Sequence, residues 1–105
     1  MVGVDIVEVS RIAAAVERYG EHFLRKIFTE EEVAYARRKK NIYQSLAGRF
    51  AAKEAFMKAR GRGLPWREIA VHETGGRPFI MFQGQKYEGI SISHEKAYAV
   101  SVVIL

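Results

Sequence analysis

The sequence predicts an α+β fold with a largely antiparallel sheet, and two observations indicate this class. β-Forming residues dominate both ends of the 105-residue chain, whereas helix-forming residues fill its middle and no proline occurs before Pro65. One strand, then helices, then a run of strands is an order typical of α+β proteins. The length suits one small domain, so the prediction is a single domain over residues 1–105.

The first forty residues contain one predicted strand and three short helices. Val and Ile dominate Met1–Val9, which is therefore predicted to be a strand. Ser10 is the predicted N-cap of a helix over residues 11–19. A short helix over Glu21–Ile27 follows, and the capping box Thr29–Glu32 begins a third helix that ends near residue 39.

The rest of the fold is predicted to consist of one long central helix followed by strands. The helix runs from about Asn41 to Arg60, because Ala, Leu, Met, Lys and Glu favour this conformation, and Gly61–Pro65 ends it. Four strands follow in two pairs: Ile69–Glu73 with Pro78–Phe82, joined by a hairpin at Thr74–Arg77, and Ile90–His94 with Ala97–Ile104. The polar segment between the pairs, Gly84–Gly89, is predicted to be a turn.

The central helix contains two charged residues at apolar positions. Its bulky apolar residues and its alanines form two adjacent stripes: Ile42, Leu46, Phe50 and Met57, and Ala47, Ala51 and Ala55. Glu54 and Lys58 project between the stripes, one turn apart. They are either a surface ion pair whose stems cover the core, or a metal ligand or base beside a phosphate-binding lysine.

Composition excludes several classes of site. The chain has no cysteine, which excludes disulfides and thiolate metal ligands. It has no apolar run of about 20 residues and no basic, signal-like N-terminus, so we expect a cytoplasmic protein without a membrane segment. Phosphate-loop, dinucleotide, H-E-x-x-H and G-x-S-x-G motifs are also absent.

Positive charge is concentrated in residues 37–62, which contain nine basic residues and one acid, whereas the remainder has a net charge of −3. Such a local field suits a polyphosphate ligand, a nucleic acid or an acidic protein. The alternative for Arg37–Lys40 is a solvated helix end.

Two carboxylates stand beside this basic segment in positions that disfavour them. Asp5 interrupts the first strand and Glu54 interrupts the central helix. Because Mg²⁺ is commonly bound by one or two carboxylates together with substrate phosphates, these acids predict a magnesium site. For Asp5 the alternative is a solvent-facing residue on a two-faced strand, and for the whole chain it is a basic binding domain.

Five short motifs, in order along the chain, resemble those of the bacterial holo-acyl-carrier-protein synthases, which are 4′-phosphopantetheinyl transferases. They are Gly3–Glu8, Phe28–Glu32, Leu46–Ala59, Gly76–Pro78 and Ser91–His94. The resemblance extends over the whole chain and implies an α+β fold. It also implies transfer of the 4′-phosphopantetheine group of coenzyme A to a serine of apo-acyl carrier protein, in support of fatty acid biosynthesis. Mg²⁺ and a homotrimer with sites between subunits are implied as well.

The resemblance and the residue chemistry together imply roles for individual side chains. Asp5 and Glu54 would hold Mg²⁺, and Glu54, directly or through a metal-bound water, would accept the serine proton. Lys58 would contact the diphosphate and stabilise or protonate the leaving group. The expected coenzyme A contacts are Arg49, Lys58, Gly61, Gly63 and His94, and the expected carrier-protein docking residues are Arg11, Arg18 and Arg25. The alternative for His94 is a hydrogen-bonded sheet histidine.

Two alternative functions remain at this level. A basic RNA-binding module would explain residues 37–62, although it gives no reason for Asp5 or Glu54, since acids repel phosphate. The other alternative keeps the chemistry but changes the acceptor to a carrier domain of a polyketide or peptide synthetase. The prediction is thus no nucleic acid and no membrane, with coenzyme A and apo-acyl carrier protein as substrates.

Overall fold

The computed structural model describes all residues from Met1 to Leu105 and confirms the α+β class. Six strands form two antiparallel sheets, with strand orders β1-β6-β5 and β2-β3-β4. The elements are β1 Val2–Glu8, α1 Val9–Tyr19, α2 Glu21–Ile27, α3 Glu30–Arg37, α4 Ile42–Arg60, β2 Ala70–Thr74, β3 Arg77–Phe82, β4 Gln85–Tyr87, β5 Ile90–His94 and β6 Tyr98–Ile104. A 3₁₀ turn at Trp66–Glu68 lies between α4 and β2.

The central helix α4 is the element on which the others pack. Asn41 caps its start by accepting a hydrogen bond from the Gln44 backbone N–H at 3.1 Å, and Gly61 ends it in the left-handed conformation at φ 79°. Strand β1 crosses it so closely that a Cβ at Gly3 would collide with the Ala55 carbonyl oxygen. Small residues in both elements therefore set the spacing between sheet and helix.

Burial around α4 is wider than the two predicted stripes. Ala52 and Ala59 lie outside those stripes and are buried, and so is Lys53. The first half of α4 packs against α1, α2 and α3, and the second half packs against the sheet β2-β3-β4. The helix is thus enclosed on most sides, which leaves few directions in which its polar side chains can reach a ligand.

Three local predictions were wrong. Ser10 is not an N-cap: α1 begins at Val9, directly after β1, and Glu8 takes the cap position without a side-chain hydrogen bond. The third helix ends at Arg37, not near residue 39. Gly84–Gly89 contains a strand, β4, because the turn Gln83–Gly84 pairs this segment with β3 as a hairpin, and the Tyr87 ring then packs edge-on against the Phe56 ring at 5.1 Å.

One face of the sheet β1-β6-β5 is apolar and uncovered. Val2, Val4 and Ile6 alternate on the side of β1 that faces away from α4, and each is more than half exposed. Their cross-strand neighbours on β6 are also apolar: Val2 pairs with Ile104 and Val4 with Val102.

No helix of the chain has the length and hydropathy needed to cross a membrane.

Candidate active site

Strand β1 directs Asp5 toward the central helix. Gly3, Asp5 and Val7 alternate on the covered side of β1, and only 15% of the Asp5 side chain is exposed. Its Oδ1 lies 3.1 Å from the Lys58 Nζ. The alternative of a solvent-facing Asp5 is therefore wrong, because the strand places this carboxylate against α4.

Glu54 lies close to Asp5 and lacks a partner of its own. Its carboxylate is half-buried and makes no hydrogen bond or ion pair with another residue. Burial, and then the negative charge of Asp5, raise the Glu54 pKa above its usual value of 4.5, while Lys58 and Arg11 oppose that shift. We call these two acids the acidic pair; of the two, only Asp5 has a cation partner, Lys58.

Lys58 is the nearest cation to the acidic pair and is free to move. Its Nζ donates hydrogen bonds to Asp5 Oδ1 and to the Val4 carbonyl oxygen, both at 3.1 Å. More than half of its side chain is exposed, so the ammonium group can also reach a ligand from solvent. The predicted surface ion pair between Glu54 and Lys58 is therefore wrong, because Lys58 pairs with Asp5, while its role as a phosphate-binding lysine stays a prediction.

The acidic pair fits a magnesium ion better than a transition metal. It supplies carboxylate oxygens alone, and no group of three or more His, Cys, Asp or Glu residues anywhere in the chain could enclose a metal ion. Mg²⁺ typically uses one or two carboxylates, substrate phosphates and water, whereas structural zinc is held by four nitrogen or sulfur ligands. Burial, and then the negative charge of Asp5, raise the pKa of Glu54, and a bound cation would oppose both effects.

A cleft of about 800 Å³ opens near the N-terminal half of α4. Its walls come from the end of α3, the start of α4, the β2–β3 hairpin and β5. Four lysine or arginine residues line it against one acid, so it is strongly basic. The lining is Tyr35, Lys39, Lys40, Asn41, Gln44, Ser45, Gly48, Arg49, Glu73, Gly76, Pro78, Ile92, His94 and Lys96.

Two buried polar atoms in this cleft have no partner in the protein. Arg49 and Ser45 are each less than one tenth exposed, and neither Arg49 Nε nor Ser45 Oγ makes a hydrogen bond. They lie one turn apart on α4, on either side of Gly48, whose missing side chain lets Ile92 of β5 approach. Buried donors without acceptors are costly, so the cleft suits an anionic or strongly polar ligand.

The structure brings together some of the predicted coenzyme A residues and separates others. Arg49 and His94 line the basic cleft, so His94 is not enclosed within the sheet. Lys58 lies with the acidic pair, about 13 Å further along α4 at 1.5 Å per residue. Gly61 and Gly63 lie beyond it, outside the cleft lining. Gly61 has a clear structural role as the end of α4, and the assignment of both glycines to coenzyme A stays a prediction.

The three predicted docking arginines occupy the first two helices. Arg11 and Arg18 are exposed on α1, and Arg25 is exposed on α2. Arg11 is close enough to Glu54 to affect its pKa, which places the start of α1 beside the acidic pair. A partner bound on this surface would therefore lie next to the site where a phosphate could be transferred.

Sequence reasoning missed a buried ion pair next to the site. Lys53 was counted with the surface cations, yet it is fully buried and its Nζ lies 2.7 Å from Glu32 Oε1. Burial lowers the pKa of Lys53, and Glu32 opposes that shift. The one signal was composition: Lys53 is surrounded by Ala51, Ala52 and Ala55, an apolar setting unusual for a surface lysine.

The basic cleft also contains residues to which sequence reasoning gave no role in the site. Lys39 and Lys40 were read only as part of a charged segment, and Tyr35, Ser45, Glu73 and Lys96 were not considered. Their convergence depends on how α3 and the β2–β3 hairpin pack around α4. No local motif contains that information.

Comparison with known proteins decides the family. The family model for the 4′-phosphopantetheinyl transferase superfamily matches residues 1–103. The chain belongs to this superfamily. It is 43% identical to the holo-[acyl-carrier-protein] synthase of Halothermothrix orenii over 117 residues, which covers 98% of this chain and 94% of the relative. The synthase of Thermus thermophilus is 41% identical over 112 residues, with 98% and 90% covered.

Solved structures of holo-[acyl-carrier-protein] synthases share the fold. The Helicobacter pylori enzyme in complex with coenzyme A has a TM-score of 0.88 and 30% identity, and the match covers 99% of this chain and 98% of that one. The Bacillus anthracis enzyme, in complex with CoA (3′,5′-ADP), has a TM-score of 0.84 and 35% identity, with 97% and 91% covered. The predicted family resemblance is confirmed, which favours the transferase over an RNA-binding module.

Proposed function

We propose that residues 1–105, as one domain, transfer the 4′-phosphopantetheine group of coenzyme A to a serine of apo-acyl carrier protein and release adenosine 3′,5′-bisphosphate, in support of fatty acid biosynthesis. Membership of the superfamily and similarity to holo-acyl-carrier-protein synthases over nearly the whole chain support this activity. The structural observation that supports it most is the arrangement along α4. The acidic pair and Lys58 lie towards its C-terminal end, and the basic cleft lies towards its N-terminal end.

The proposed cofactor is Mg²⁺, held by Asp5 and Glu54 together with the diphosphate of coenzyme A. The support is the all-oxygen donor set and the position of Asp5 beside Glu54, whose pKa is raised by burial and then by the negative charge of Asp5. A bound Mg²⁺ would offset negative charge on the diphosphate during attack and departure. The same ion would also offset the negative charge of the Asp5 and Glu54 carboxylates.

Three side chains would act directly in the transfer. The serine oxygen attacks the phosphorus that bears the pantetheine arm, and the bond from that phosphorus to the bridging diphosphate oxygen breaks. Glu54, directly or through a bound water, would accept the serine proton, because its carboxylate has no other hydrogen-bond partner. Lys58 would turn from Asp5 to the departing phosphate and stabilise or protonate it. Asp5 would keep the diphosphate in position through the cation.

The adenosine end of coenzyme A would occupy the basic cleft. Arg49 and His94 would contact the 3′-phosphate and the adenine, and the partnerless Ser45 hydroxyl supplies a further polar group. Along α4 the rise from Arg49 to Glu54 is about 7.5 Å at 1.5 Å per residue. An extended nucleotide could therefore reach both regions at once.

The carrier protein would dock on Arg11, Arg18 and Arg25. These exposed cations lie on α1 and α2, and Arg11 borders the acidic pair. An acidic partner would be steered to this surface and present its serine beside the diphosphate. Whether a polyketide or peptide synthetase carrier domain is also accepted depends on the charge that it presents here.

We also propose a homotrimer with active sites between subunits. The support is the uncovered apolar face of β1 and β6, where Val2, Ile6 and Ile104 are each at least 60% exposed. A chain this small gains stability by burying such a face against other copies. Sedimentation velocity of wild type and of Val4→Asp tests this, with trimer and monomer expected respectively. A stable, active wild-type monomer would contradict it.

A cytoplasmic location is also part of the proposal.

The activity is tested by incubating the protein with coenzyme A, Mg²⁺ and apo-acyl carrier protein. Mass spectrometry should detect the carrier with one phosphopantetheine group attached and, in the small-molecule fraction, adenosine 3′,5′-bisphosphate. A carrier protein with its serine replaced by alanine is the matched control. If the folded protein forms no adduct while a known synthase modifies the same carrier preparation, the proposed activity is wrong.

A further inference from the structure

Tyr35 lies beside three cations, of which Arg49 and Lys39 line the basic cleft. Its ring lies 3.9 Å from the Arg49 guanidinium carbon, 4.7 Å from the Lys39 Nζ and 5.7 Å from the Arg38 guanidinium carbon. Distances below about 6 Å place a cation within the attractive field of an aromatic face. One aromatic ring thus interacts with three cations contributed by α4 and by the end of α3.

The contact with Tyr35 is the main restraint on Arg49 in this cleft. The Arg49 side chain is buried, yet it forms no hydrogen bond and no ion pair with any other residue. A stacked guanidinium is held through its face, so its N–H groups at the edge remain available to an acceptor. Tyr35 therefore holds the arginine without occupying the donors that would bind an anion.

The hydroxyl of Tyr35 is hydrogen-bonded to Glu73, the only acid that lines the cleft. It donates a hydrogen bond of 2.8 Å to Glu73 Oε1, which ties α3 to the end of β2. Glu73 would otherwise be the carboxylate available to pair with Arg49, because no other acid lines the cleft. The ring and the hydroxyl thus have separate effects, since one holds Arg49 and the other keeps Glu73 engaged elsewhere.

We infer that Tyr35 is a positioning residue for recognition of the 3′-phosphate of coenzyme A, acting through Arg49. This inference rests on the proposed function, because it assigns that phosphate to the basic cleft. Tyr35 contributes to binding of the nucleotide and not to the transfer step, since it lies with Arg49 and away from the acidic pair. Loss of its ring should lower affinity only for ligands that have the 3′-phosphate.

The test compares coenzyme A with 3′-dephospho-coenzyme A by calorimetric titration of Tyr35→Leu and Tyr35→Phe. Tyr35→Leu should bind coenzyme A about 5- to 10-fold more weakly and 3′-dephospho-coenzyme A as wild type does. Tyr35→Phe keeps the ring and should retain most of the preference for coenzyme A. In transfer assays Tyr35→Leu should raise KM for coenzyme A with kcat changed less than about twofold.

Tyr19→Leu is the matched control, because Tyr19 also lies beneath an arginine, Arg18 at 5.4 Å, but outside the cleft. It should leave both affinities unchanged. The inference is overturned if Tyr35→Leu keeps the wild-type preference, or if Tyr35→Phe loses the preference as fully as Tyr35→Leu. Thermal melting identifies a variant that is unfolded, in which case Tyr35→Met, which also lacks the ring, replaces Tyr35→Leu in the comparison. Adduct formation by wild type tests the proposed function separately, since the ratio of the two affinities does not depend on transfer.

Discussion

Lys53 and Glu54 are neighbours on α4, but their charged groups are in opposite situations. The Lys53 Nζ is fully buried and bonds to Glu32 Oε1 at 2.7 Å, to the Ile27 carbonyl oxygen at 2.8 Å and to the Trp66 carbonyl oxygen at 3.1 Å. Glu54 is only half-buried, yet its carboxylate has no partner and its pKa is raised. Lys53, the more buried of the two, therefore has three hydrogen-bond acceptors, whereas the Glu54 carboxylate has no donor.

The partners of Glu32 explain why the buried pair is structural. Its two oxygens also accept hydrogen bonds from the backbone N–H groups of Thr29, at 2.8 Å, and Val71, at 2.6 Å. The pair therefore joins α2, α3, α4, the 3₁₀ turn and β2 at one point. Removing one partner of such a buried pair is strongly destabilising, whereas a carboxylate without partners near the surface is available to a ligand.

Neutralising the acidic pair should have the largest effect. We expect Glu54→Gln and Asp5→Asn each to lower the transfer rate at least about a thousandfold, since cation and base contributions are each worth several kcal/mol and 1.36 kcal/mol is a factor of ten. Adduct formation measured by mass spectrometry tests this. Urea unfolding should show no loss of stability for Glu54→Gln, whose carboxylate has no partner, and a loss of at most about 1 kcal/mol for Asp5→Asn, which gives up its ion pair with Lys58. Near-normal transfer by either variant would show that the substituted residue is not a ligand of Mg²⁺.

The two lysines of α4 should differ most in stability. We expect Lys53→Met to lower the free energy of unfolding by about 3–5 kcal/mol, because it leaves the buried Glu32 carboxylate without its cation. Lys58→Met breaks a pair whose ammonium group is more than half exposed, and should cost only about 0–1 kcal/mol while strongly reducing transfer. Urea unfolding at one protein concentration measures both. Equal losses of stability would contradict the distinction between the two regions.

The basic cleft and the docking helix should affect different substrates. Arg49→Ala should raise KM for coenzyme A about tenfold or more, because hydrogen bonds to charged groups are worth about 1.5–3 kcal/mol. Arg18→Glu should raise KM for the carrier protein and flatten its salt dependence, with little change for coenzyme A. Steady-state kinetics at two salt concentrations separates these effects. The opposite pattern would show that the two surfaces are assigned to the wrong substrates.

The smallest predicted effect is a pH dependence of stability in the absence of Mg²⁺. Because the folded-state pKa of Glu54 is raised above 4.5, the folded protein binds more protons than the unfolded chain between these two values. The free energy of unfolding should therefore fall as pH rises through that window and then level off. Urea unfolding at a series of pH values should show a shallower fall for Glu54→Gln. An identical slope in both proteins would indicate that Glu54 is not perturbed.

The sequence predicted the elements of the fold well where local signals agree. The capping box Thr29–Glu32 is present as expected, with Glu32 Oε1 accepting from the Thr29 backbone N–H and Thr29 Oγ1 from that of Glu32. Strand β4 was missed because its residues are polar, although the two-residue turn Gln83–Gly84, with both residues at positive φ, joins it to β3 as a hairpin. The packing of Tyr87 on the distant Phe56 has no local signal.

The site was predictable to the extent that its residues were locally out of place. An acid in a β-strand and an acid on an apolar helix face indicated Asp5 and Glu54 without any knowledge of the fold. Lys53 was indistinguishable by charge from Lys58, and only packing shows that one is enclosed while the other is exposed. Tyr35 gave no signal because its role depends on Arg49, fourteen positions further along the chain.

The most direct test of the account is calorimetric titration of Mg²⁺ into the protein saturated with coenzyme A, with a blank for coenzyme A alone. The account predicts that wild type and Glu17→Gln, a control that neutralises an exposed acid of α1, bind Mg²⁺ with equal affinity. Glu54→Gln should lose that binding while remaining folded and still binding coenzyme A. If Glu54→Gln binds Mg²⁺ as tightly as wild type, the acidic pair is not the metal site and the central claim is wrong.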